Sequence, residues 1–181
     1  MKNFHQFLLY SGIVLLTISC TNKANLSAPT PTSVEDRTMV EPIHIFLVRH
    51  AEKSTNDPRD PDLSEAGFER AQKLMFHLEK AGITKIYATK YKRTQQTVQP
   101  LADKLGIEIE LYETDLVDII SMVKSTHKGN VLIAGHSNST PKLVNKLLGR
   151  ERFEKLDESV YDKLFLMSKC GEHFSATSLQ Y

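Results

Sequence analysis

The sequence predicts an α/β protein in which a mostly parallel sheet is covered by helices on both faces, a three-layer α/β/α sandwich. Short apolar runs typical of buried strands alternate with longer segments whose apolar residues recur at helical spacing. The alternation runs from about residue 43 to the C-terminus, without an internal repeat. In such sheets the ligand crevice lies beyond the carboxyl ends of the strands, so functional residues are expected there.

Composition narrows the class of protein. A chain of 181 residues with 40% hydrophobic and 25% charged residues is close to the globular average, which argues against wholesale disorder and against a polytopic membrane protein. The net charge of +1 argues against a dedicated nucleic-acid binder. The two cysteines, Cys20 and Cys170, are too few for a disulfide-dense scaffold or a Cys-rich zinc site.

The first 19 residues are predicted to be a signal peptide. Phe7–Ile18 is almost wholly apolar but shorter than the roughly 20 residues that span a bilayer. The Thr17–Cys20 sequence that follows resembles a bacterial lipoprotein processing site, which implies cleavage before Cys20 and acylation of that cysteine. The alternative is a plain signal peptide in which Cys20 is incidental. The lipoprotein interpretation predicts an exported protein, anchored to the lipid bilayer and facing the periplasm or the cell exterior.

Residues 20–40 are predicted to be the lipidated cysteine and a flexible linker. The segment is rich in Thr, Asn, Ser and Pro, and Pro29 and Pro31 cannot join a helix interior or a central strand. The domain is predicted to cover residues 41–181. If Cys20 is acylated, Cys170 has no partner within the chain, so we expect its thiol to be buried like a small hydrophobic group.

The first half of the domain is predicted to contain two strands and two helices. The strands are Ile43–Val48 and Lys85–Ala88, and Ser64 can cap a helix between them. The second helix covers about Arg93–Leu105, where Pro100 predicts a kink or a late start. The apolar positions of the first helix, which should face the core, are Phe68, Ala71, Leu74, Met75 and Leu78.

The second half of the domain continues the alternation and ends in two successive strands. Glycines close the fourth helix and join the last two strands. In chain order the predicted elements are strand Ile107–Leu111, helix Asp115–Ser125, strand Val131–Ala134, helix Pro141–Leu148, and strands Lys163–Ser168 and Ala176–Gln180.

Four basic or imidazole side chains come directly after predicted strands. Arg49 and His50 follow the first strand, and His136 follows the strand that ends at Ala134. Arg93 lies in the loop or first helical turn after the second strand. Since the carboxyl ends of parallel strands meet at one edge of the sheet, two histidines and two arginines can converge on one crevice.

These segments, together with Asp62–Gly67 at the start of the first helix, resemble the histidine phosphatase superfamily with its phosphoglycerate-mutase-like fold. The similarity runs in order from about Ile43 to Tyr181. The resemblance implies that His50 becomes phosphorylated and that His136 donates a further hydrogen bond to phosphate, as a cation. Ser137 and Asn138 are expected to shape the turn rather than to contact substrate.

Phosphate chemistry explains why such a site contains these residue types. A phosphomonoester dianion repels anionic nucleophiles, and a histidine with the usual pKa of about 6.5 is mostly neutral at pH 7, so His50 is a suitable nucleophile. Arg49 and Arg93 would bind substrate, because their planar, permanently charged guanidinium groups match phosphate oxygens. Stabilising the charge on those oxygens is the main catalytic task.

The leaving group needs a proton donor, and the resemblance locates it after the third strand. We assign this role to Glu113, with Asp115 as the alternative. Ser54 and Asn56 lie where members of the family line the phosphate pocket, so they are candidate substrate-binding residues. Glu52 either supports the site or is simply solvated.

The predicted function is that of a metal-independent phosphatase, a hydrolase of phosphomonoesters that needs no cofactor. The short domain leaves little chain for enclosing a bisphosphate, as a mutase must, and therefore favours hydrolysis. A protein phosphohistidine phosphatase and a non-catalytic phosphate-binding lipoprotein are the alternatives. The substrate would be a phosphorylated small molecule or a phosphoprotein. Three segments are expected to set specificity: the Glu52–Leu63 loop, the stretch after Glu113, and Arg150–Ser159.

Overall fold

A computed structural model describes residues 41–181, and these residues form a six-stranded sheet and four helices. The helices are α1 (Glu65–Leu78), α2 (Lys92–Leu105), α3 (Val117–Ser125) and α4 (Ser139–Leu148). The strands are β1 (Ile43–Arg49), β2 (Ile83–Thr89), β3 (Ile109–Tyr112), β4 (Asn130–Gly135), β5 (Lys163–Cys170) and β6 (His173–Gln180).

The sheet is mixed but mostly parallel. Its strand order is β3-β2-β4-β1-β5-β6, in which β1 to β4 run parallel while β5 pairs antiparallel with β1 and β6 antiparallel with β5. The carboxyl ends of β1, β2 and β4 therefore lie side by side at one edge of the sheet.

Both faces of the sheet are covered, which confirms the predicted three-layer α/β/α class. Neighbouring residues of β1 illustrate the reason for its unbroken apolar run: Leu47 packs in the core beneath α3 and α4, whereas Val48 packs in the core beneath α1 and α2. Both side chains are fully buried, as expected for a strand with helices on each side.

Helix α1 is tied to the loop that follows β1. The Ser64 side chain accepts a hydrogen bond from the Gly67 N–H and so caps the helix, while the Ser64 N–H donates to the carbonyl oxygen of Glu52 at 2.9 Å. Gly67 lies so close to the same carbonyl that a Cβ would be 2.2 Å from its oxygen. Only glycine permits this approach, which fixes the distance between α1 and the loop after His50.

Several details of the sequence prediction are wrong. Phe68 is 47% exposed rather than buried, because α1 turns the faces of Ala71 and Leu74 to the sheet. Helix α2 does not start late at Pro100 but begins at Lys92 and includes the proline. Cys170 is exposed rather than buried, because it is the last residue of β5 and lies next to the turn of the final hairpin.

The predicted signal peptide (1–19) and the predicted lipidated Cys20 with its linker (20–40) lie outside the described residues. Within residues 41–181, none of the helices has the length and apolar character needed to cross a membrane.

Candidate active site

An open cavity of about 480 Å³ lies beyond the carboxyl ends of β1, β2 and β4. It is the place where the sequence predicts the functional residues to converge. Three of the four predicted histidines and arginines line it, and the fourth, Arg49, is buried beside it. Residues lining the cavity include His50, Lys53, Tyr91, Arg93, Thr114, His136, Ser137, Asn138, Lys155 and Glu158.

Backbone pairing holds His50 in place and determines its tautomer. Its N–H donates to the carbonyl oxygen of Gly135 at 2.9 Å, which prolongs the pairing of β1 with β4 by one residue. Its Nδ1 lies 2.7 Å from the carbonyl oxygen of Ala51. Because a carbonyl oxygen only accepts, Nδ1 carries the hydrogen of the neutral ring, and Nε2 is left unprotonated.

The imidazole of His50 is neutral at pH 7. Burial lowers its pKa to about 3, and the positive charges of Arg49 and Arg93 act in the same direction, although the Ala51 hydrogen bond opposes them. The ring is 5% exposed, so the desolvation penalty on the charged form is large. A neutral ring with a lone pair on Nε2 is the form of histidine that attacks electrophiles.

The second histidine, His136, lies beside the first, with 5.5 Å between the ring centroids. Its Nε2 is 3.1 Å from the Thr89 hydroxyl oxygen, which lies 2.8 Å from that of Thr94. The Thr94 hydroxyl is 2.7 Å from the carbonyl oxygen of Tyr91 and donates to it. Thr89 then donates to Thr94 and accepts from Nε2–H of His136, so Nδ1 of His136 is bare in the neutral ring.

His136 is also neutral at pH 7 in this arrangement of residues. Burial lowers its pKa to about 4, and the nearby charges of Arg93 and Arg49 lower it further. These are the very arginines that the sequence predicts as phosphate ligands. The cavity therefore holds two neutral imidazoles at pH 7.

Arg49 organises the chain segment that borders the cavity. Its Nη1 lies 2.9 Å, 3.0 Å and 2.9 Å from the carbonyl oxygens of Asp157, Glu158 and Val160, respectively. Its guanidinium carbon lies 4.1 Å from the centre of the Tyr161 ring. The side chain is 1% exposed, so Arg49 is closed off from the cavity in this arrangement.

The group that covers Arg49 is the carboxylate of Glu158. Its Oε2 accepts from Nη2 of Arg49 at 2.8 Å, and its Oε1 accepts from the Ser137 hydroxyl at 3.0 Å. The Ser137 hydrogen bond and the charge of Arg49 hold the pKa of Glu158 below its ordinary value, so it is anionic at pH 7. Contact between phosphate and Arg49 thus requires this carboxylate to move.

Arg93 occupies the first turn of α2 and faces the cavity. Its guanidinium carbon lies 4.4 Å from the centre of the Tyr91 ring, and its Nη1 is 3.6 Å from Oδ1 of Asp60. Tyr91 also packs edge-on against His136, with 5.2 Å between the ring centroids. One tyrosine thereby positions both a predicted phosphate ligand and an imidazole.

The structure does not bring Glu113 and Asp115 to the lining of the cavity; Thr114, between them, does line it. Both carboxylates belong to exposed residues, and Oδ1 of Asp115 accepts from the N–H of Val117 at the start of α3. Sequence position alone could not separate these three neighbours, because loop conformation decides which one faces inward.

The remaining candidates lie around the cavity rather than in it. Glu52 makes a two-pronged ion pair with Arg70, with its Oε1 2.7 Å from Nη2, and so supports the loop after His50. Ser54 donates to Oδ1 of Asn56, and Asn56 binds Asp62. Ser54 lines a neighbouring cavity, and neither Ser54 nor Asn56 lines the one that contains His50.

Sequence reasoning missed the aromatic and charged residues that complete the site. Tyr91 was visible two positions before Arg93, but nothing in the pattern distinguished it from a surface residue. Lys155 and Glu158 lie within the segment predicted to set specificity. That segment is held by Asn145, whose Oδ1 accepts from the N–H groups of Arg152 and Phe153 at 3.1 Å and 3.0 Å.

We expect the free energy of unfolding to fall as the pH is lowered from about 7 to about 4. His50 and His136 have depressed pKa values in the folded state, near 3 and 4, but ordinary values of 6.5 when unfolded. The unfolded state alone binds protons over most of this window, so stability is complete above pH 6.5 and is lost below it, by roughly 3 kcal/mol per histidine at pH 4. Denaturant titrations across this pH range measure the effect.

His50→Gln and His136→Gln should each flatten that pH dependence. His173→Gln, which changes an exposed histidine of β6, is the matched control and should leave the slope unchanged. Equal slopes in all four proteins would contradict the neutral state of the two buried rings.

Glu158→Gln should tighten the binding of inorganic phosphate by about three- to tenfold. The substitution removes an anion that covers Arg49 and repels a dianion in the cavity. Calorimetric titration measures the change, with Glu154→Gln as a control on the same segment, because Glu154 is exposed and does not line this cavity. An unchanged dissociation constant in Glu158→Gln would show that the carboxylate does not compete with phosphate.

Comparison with known families supports this assembly of residues. The model of the histidine phosphatase superfamily (branch 1) matches residues 45–119, which contain Arg49, His50 and Arg93. His136 lies beyond the matched segment and joins the site through the fold. A search of curated proteins found no match.

Solved structures share the fold. The protein histidine phosphatase SixA complexed with tungstate has a TM-score of 0.61 at 14% identity, covering 76% of this chain and 97% of that chain. A candidate phosphohistidine phosphatase SixA from Agrobacterium tumefaciens has a TM-score of 0.58 at 18% identity (76% and 98% covered). A phosphoserine phosphatase from Entamoeba histolytica, in complex with 3-phosphoglyceric acid, has a TM-score of 0.58 at 13% identity (77% and 97% covered).

At these identities the likeness to solved structures concerns the fold. The family-model match is evidence from the sequence itself, because residues 45–119 include His50 after β1 and Arg93 at the start of α2. Residues 45–119 thus match the model of the histidine phosphatase superfamily (branch 1), and the described residues share their fold with these solved structures.

Proposed function

We propose that the protein is a phosphatase that hydrolyses phosphomonoesters through a phosphohistidine intermediate on His50, without a metal ion. The observation that carries the proposal is the tautomer of His50, whose Nδ1–H is held by the Ala51 carbonyl oxygen at 2.7 Å. This leaves Nε2 unprotonated in a cavity that Arg93 and His136 also line. The arrangement supplies a neutral nucleophile and, in Arg93, a cationic partner for phosphate oxygens.

In the first step, Nε2 of His50 attacks phosphorus and the bond from phosphorus to the ester oxygen breaks. The ester oxygen leaves with the bonding electrons and takes up a proton. Arg93 stabilises the charge on the equatorial oxygens, and Arg49 joins it once Glu158 has moved. The phosphorylated ring is a cation whose Nδ1–H continues to donate to the Ala51 carbonyl oxygen.

In the second step, a water molecule attacks phosphorus and gives a proton to the group that protonated the leaving oxygen, and the bond between phosphorus and Nε2 breaks. Inorganic phosphate leaves, and His50 returns to its neutral form. The openness of the cavity supports hydrolysis over transfer to a second hydroxyl group, because a mutase must exclude water while its histidine is phosphorylated.

The proton donor is the part of the mechanism that departs from the sequence prediction. Within residues 41–181, Glu158 is the one carboxylate at the cavity lining, and it is held anionic by Arg49 and Ser137. His136 is the better donor: a bound dianion opposes the effect of the arginines and raises the pKa of the nearby imidazole. Glu113 remains a candidate only if the loop before α3 changes conformation.

The lack of a protonated carboxylic acid among the described residues of the cavity lining favours a second candidate, a protein phosphohistidine phosphatase. An imidazole leaving group departs from phosphorus more easily than an alkoxide, so a site without a well-placed carboxylic acid suits it. The fold shared with the SixA structures is in keeping with this substrate class. Relative rates on a phosphohistidine peptide, an aryl phosphate and an alkyl phosphate would rank the two candidates.

The full chain should hydrolyse an aryl phosphate in the presence of a metal chelator, and enzyme quenched during turnover should carry acid-labile phosphate on His50. His50→Ala should lose at least about 1,000-fold in kcat, because the covalent route is removed. Release of inorganic phosphate and mass spectrometry of the quenched protein measure the two effects. His44→Ala is a control, since His44 lies on β1 away from the cavity.

Full activity in His50→Ala would overturn the proposed mechanism. The rival function, a non-catalytic phosphate-binding protein, predicts a different pattern: saturable phosphate binding with neither turnover nor label in the wild type. The same quenching experiment therefore separates an enzyme from a binder.

We also propose that the domain is exported and anchored to a membrane by a lipid on Cys20. The support lies in the sequence: the apolar Phe7–Ile18 segment, the small residues before Cys20, and the Pro-rich tether after it. An anchored phosphatase would act on phosphate compounds at the membrane surface outside the cytoplasm.

Radioactive palmitate supplied to bacteria that express the full chain should label the wild-type protein. Cys20→Ala should abolish the label, whereas Cys170→Ala should retain it, because Cys170 belongs to the folded domain. Labelling of Cys20→Ala at the level of the wild type would refute the anchor.

A further inference from the structure

Two buried hydroxyl groups connect His136 to the start of α2. Thr89 is the last residue of β2, Thr94 belongs to the first turn of α2, and both are fully buried. The Thr89 hydroxyl oxygen lies 3.1 Å from Nε2 of His136 and 2.8 Å from the hydroxyl oxygen of Thr94. Neither step of the phosphatase mechanism uses Thr94.

The direction of these hydrogen bonds is set at Thr94. Its hydroxyl oxygen lies 2.7 Å from the carbonyl oxygen of Tyr91 and 3.0 Å from that of Thr89. Because a hydroxyl has one hydrogen and carbonyl oxygens only accept, Thr94 donates its hydrogen to one of these two oxygens. Towards the Thr89 hydroxyl it can then only accept. The Thr89 hydroxyl therefore donates to Thr94, and its oxygen accepts from Nε2–H of His136.

Without the Thr94 hydroxyl, Thr89 would not select this tautomer of His136. A hydroxyl can both donate and accept, and among residues 41–181 only Thr89 bonds to the His136 imidazole. With its acceptor removed, the Thr89 hydroxyl would donate to Nε2, because a buried donor without a partner costs free energy. The hydrogen of the neutral ring would then lie on Nδ1.

The same hydrogen bonds favour the protonated form of the ring. A cationic His136 carries a hydrogen on each nitrogen, so its Nε2–H needs an acceptor. Thr89 can accept it because the Thr89 hydrogen is already directed at Thr94. Loss of the Thr94 hydroxyl would leave the Thr89 hydrogen without a partner beside a cation, which makes protonation of the ring less favourable.

We propose that Thr94 is a positioning residue for the proton donor: through Thr89 it keeps the hydrogen of neutral His136 on Nε2 and leaves Nδ1 to take up the proton for the leaving group. The part that concerns the leaving group rests on the proposed function. The proton enters at Nδ1 when substrate binds and passes to the ester oxygen as the bond between that oxygen and phosphorus breaks. His136 thereby returns to its neutral form, with Nε2–H still donating to Thr89.

Nitrogen-15 NMR of the full chain at pH 7, without phosphate, measures the tautomer independently of turnover. Wild-type His136 should show a protonated Nε2 and an unprotonated Nδ1, and loss of both signals in His136→Gln assigns them. Thr94→Val keeps the shape of the side chain without its hydroxyl and should reverse the two nitrogens, whereas Thr94→Ser should retain the wild-type pattern. The Tyr91 carbonyl oxygen still accepts from the N–H of Gln95 at 3.2 Å, so the first turn of α2 keeps its backbone hydrogen bond in both variants.

Thr126→Val is the matched control. Thr126 is buried, and its hydroxyl donates to the carbonyl oxygen of Met122 in α3 at 2.9 Å, much as Thr94 donates to a carbonyl oxygen at the start of α2. It precedes β4 and so lies at the end of the sheet opposite the cavity. This variant loses the same buried group, but it should leave the tautomer of His136 and the activity unchanged.

Two esters test the link to the leaving group. The leaving oxygen of phenyl phosphate is a strong base that needs a proton, whereas that of 4-nitrophenyl phosphate is a weak base that departs with little help. Thr94→Val should lower kcat/KM for phenyl phosphate by about three- to tenfold and for 4-nitrophenyl phosphate by less than about twofold. The ratio kcat/KM is the relevant constant, because it includes departure of the leaving group but not hydrolysis of the phosphohistidine.

The two measurements fail in different ways. A hydrogen on Nδ1 in the wild type would overturn the role of Thr94 without any variant, and so would an unchanged tautomer in Thr94→Val. Equal losses of kcat/KM on the two esters would show a purely structural effect and overturn the link to the leaving group. Hydrolysis of neither ester by the wild type, together with a reversed tautomer in Thr94→Val, would overturn the phosphatase and keep the control of the tautomer by Thr94.

Discussion

The hydrogen bond from Nδ1 of His50 to the carbonyl oxygen of Ala51 determines what the cavity can do. The position of the ring depends on the backbone. Directly after β1, the His50 N–H donates to the carbonyl oxygen of Gly135 and so fixes His50 relative to β4. The Ala51 N–H in turn donates to the hydroxyl of Thr97 on α2 at 2.8 Å. The tautomer of His50 is therefore fixed by the packing of two strands and a helix, before any ligand is present.

Arg49 has a larger architectural role than its position beside His50 suggests. Residues between α4 and β5 contain neither helix nor strand over 151–162, and Arg49 satisfies three of their carbonyl oxygens. The Leu156 N–H, which donates to the carbonyl oxygen of Ser137 at 2.9 Å, secures the same segment to the end of β4. A planar guanidinium suits this task, because one side chain can donate in several fixed directions. The same contacts place the Glu158 carboxylate at the cavity. Arg49 therefore holds in position the segment whose carboxylate covers it.

Much of the fold could be predicted from the sequence, because periodicity reports burial directly. The alternation of apolar runs, the Ser64 cap and the Gly149 stop correspond to elements of the structure, and strand ends locate histidines and arginines. What periodicity cannot report is the conformation of irregular segments. Glu158 reaches the cavity from a stretch without regular structure, and Glu113 fails to reach it although it directly follows β3.

His136 is neutral in the structure, whereas the sequence analysis expects it to donate to phosphate as a cation. The negative charge that a ligand brings can account for both states. Burial disfavours a positive charge on His136, and the charges of Arg93 and Arg49 act in the same direction, so His136 is neutral. A phosphate dianion would offset the charges of the two arginines and so favour proton uptake on the bare Nδ1 of His136. Since Nε2–H remains engaged with Thr89, the acquired proton would lie on Nδ1. The substrate itself would thus convert a neutral, resting imidazole into the acid that the leaving group requires.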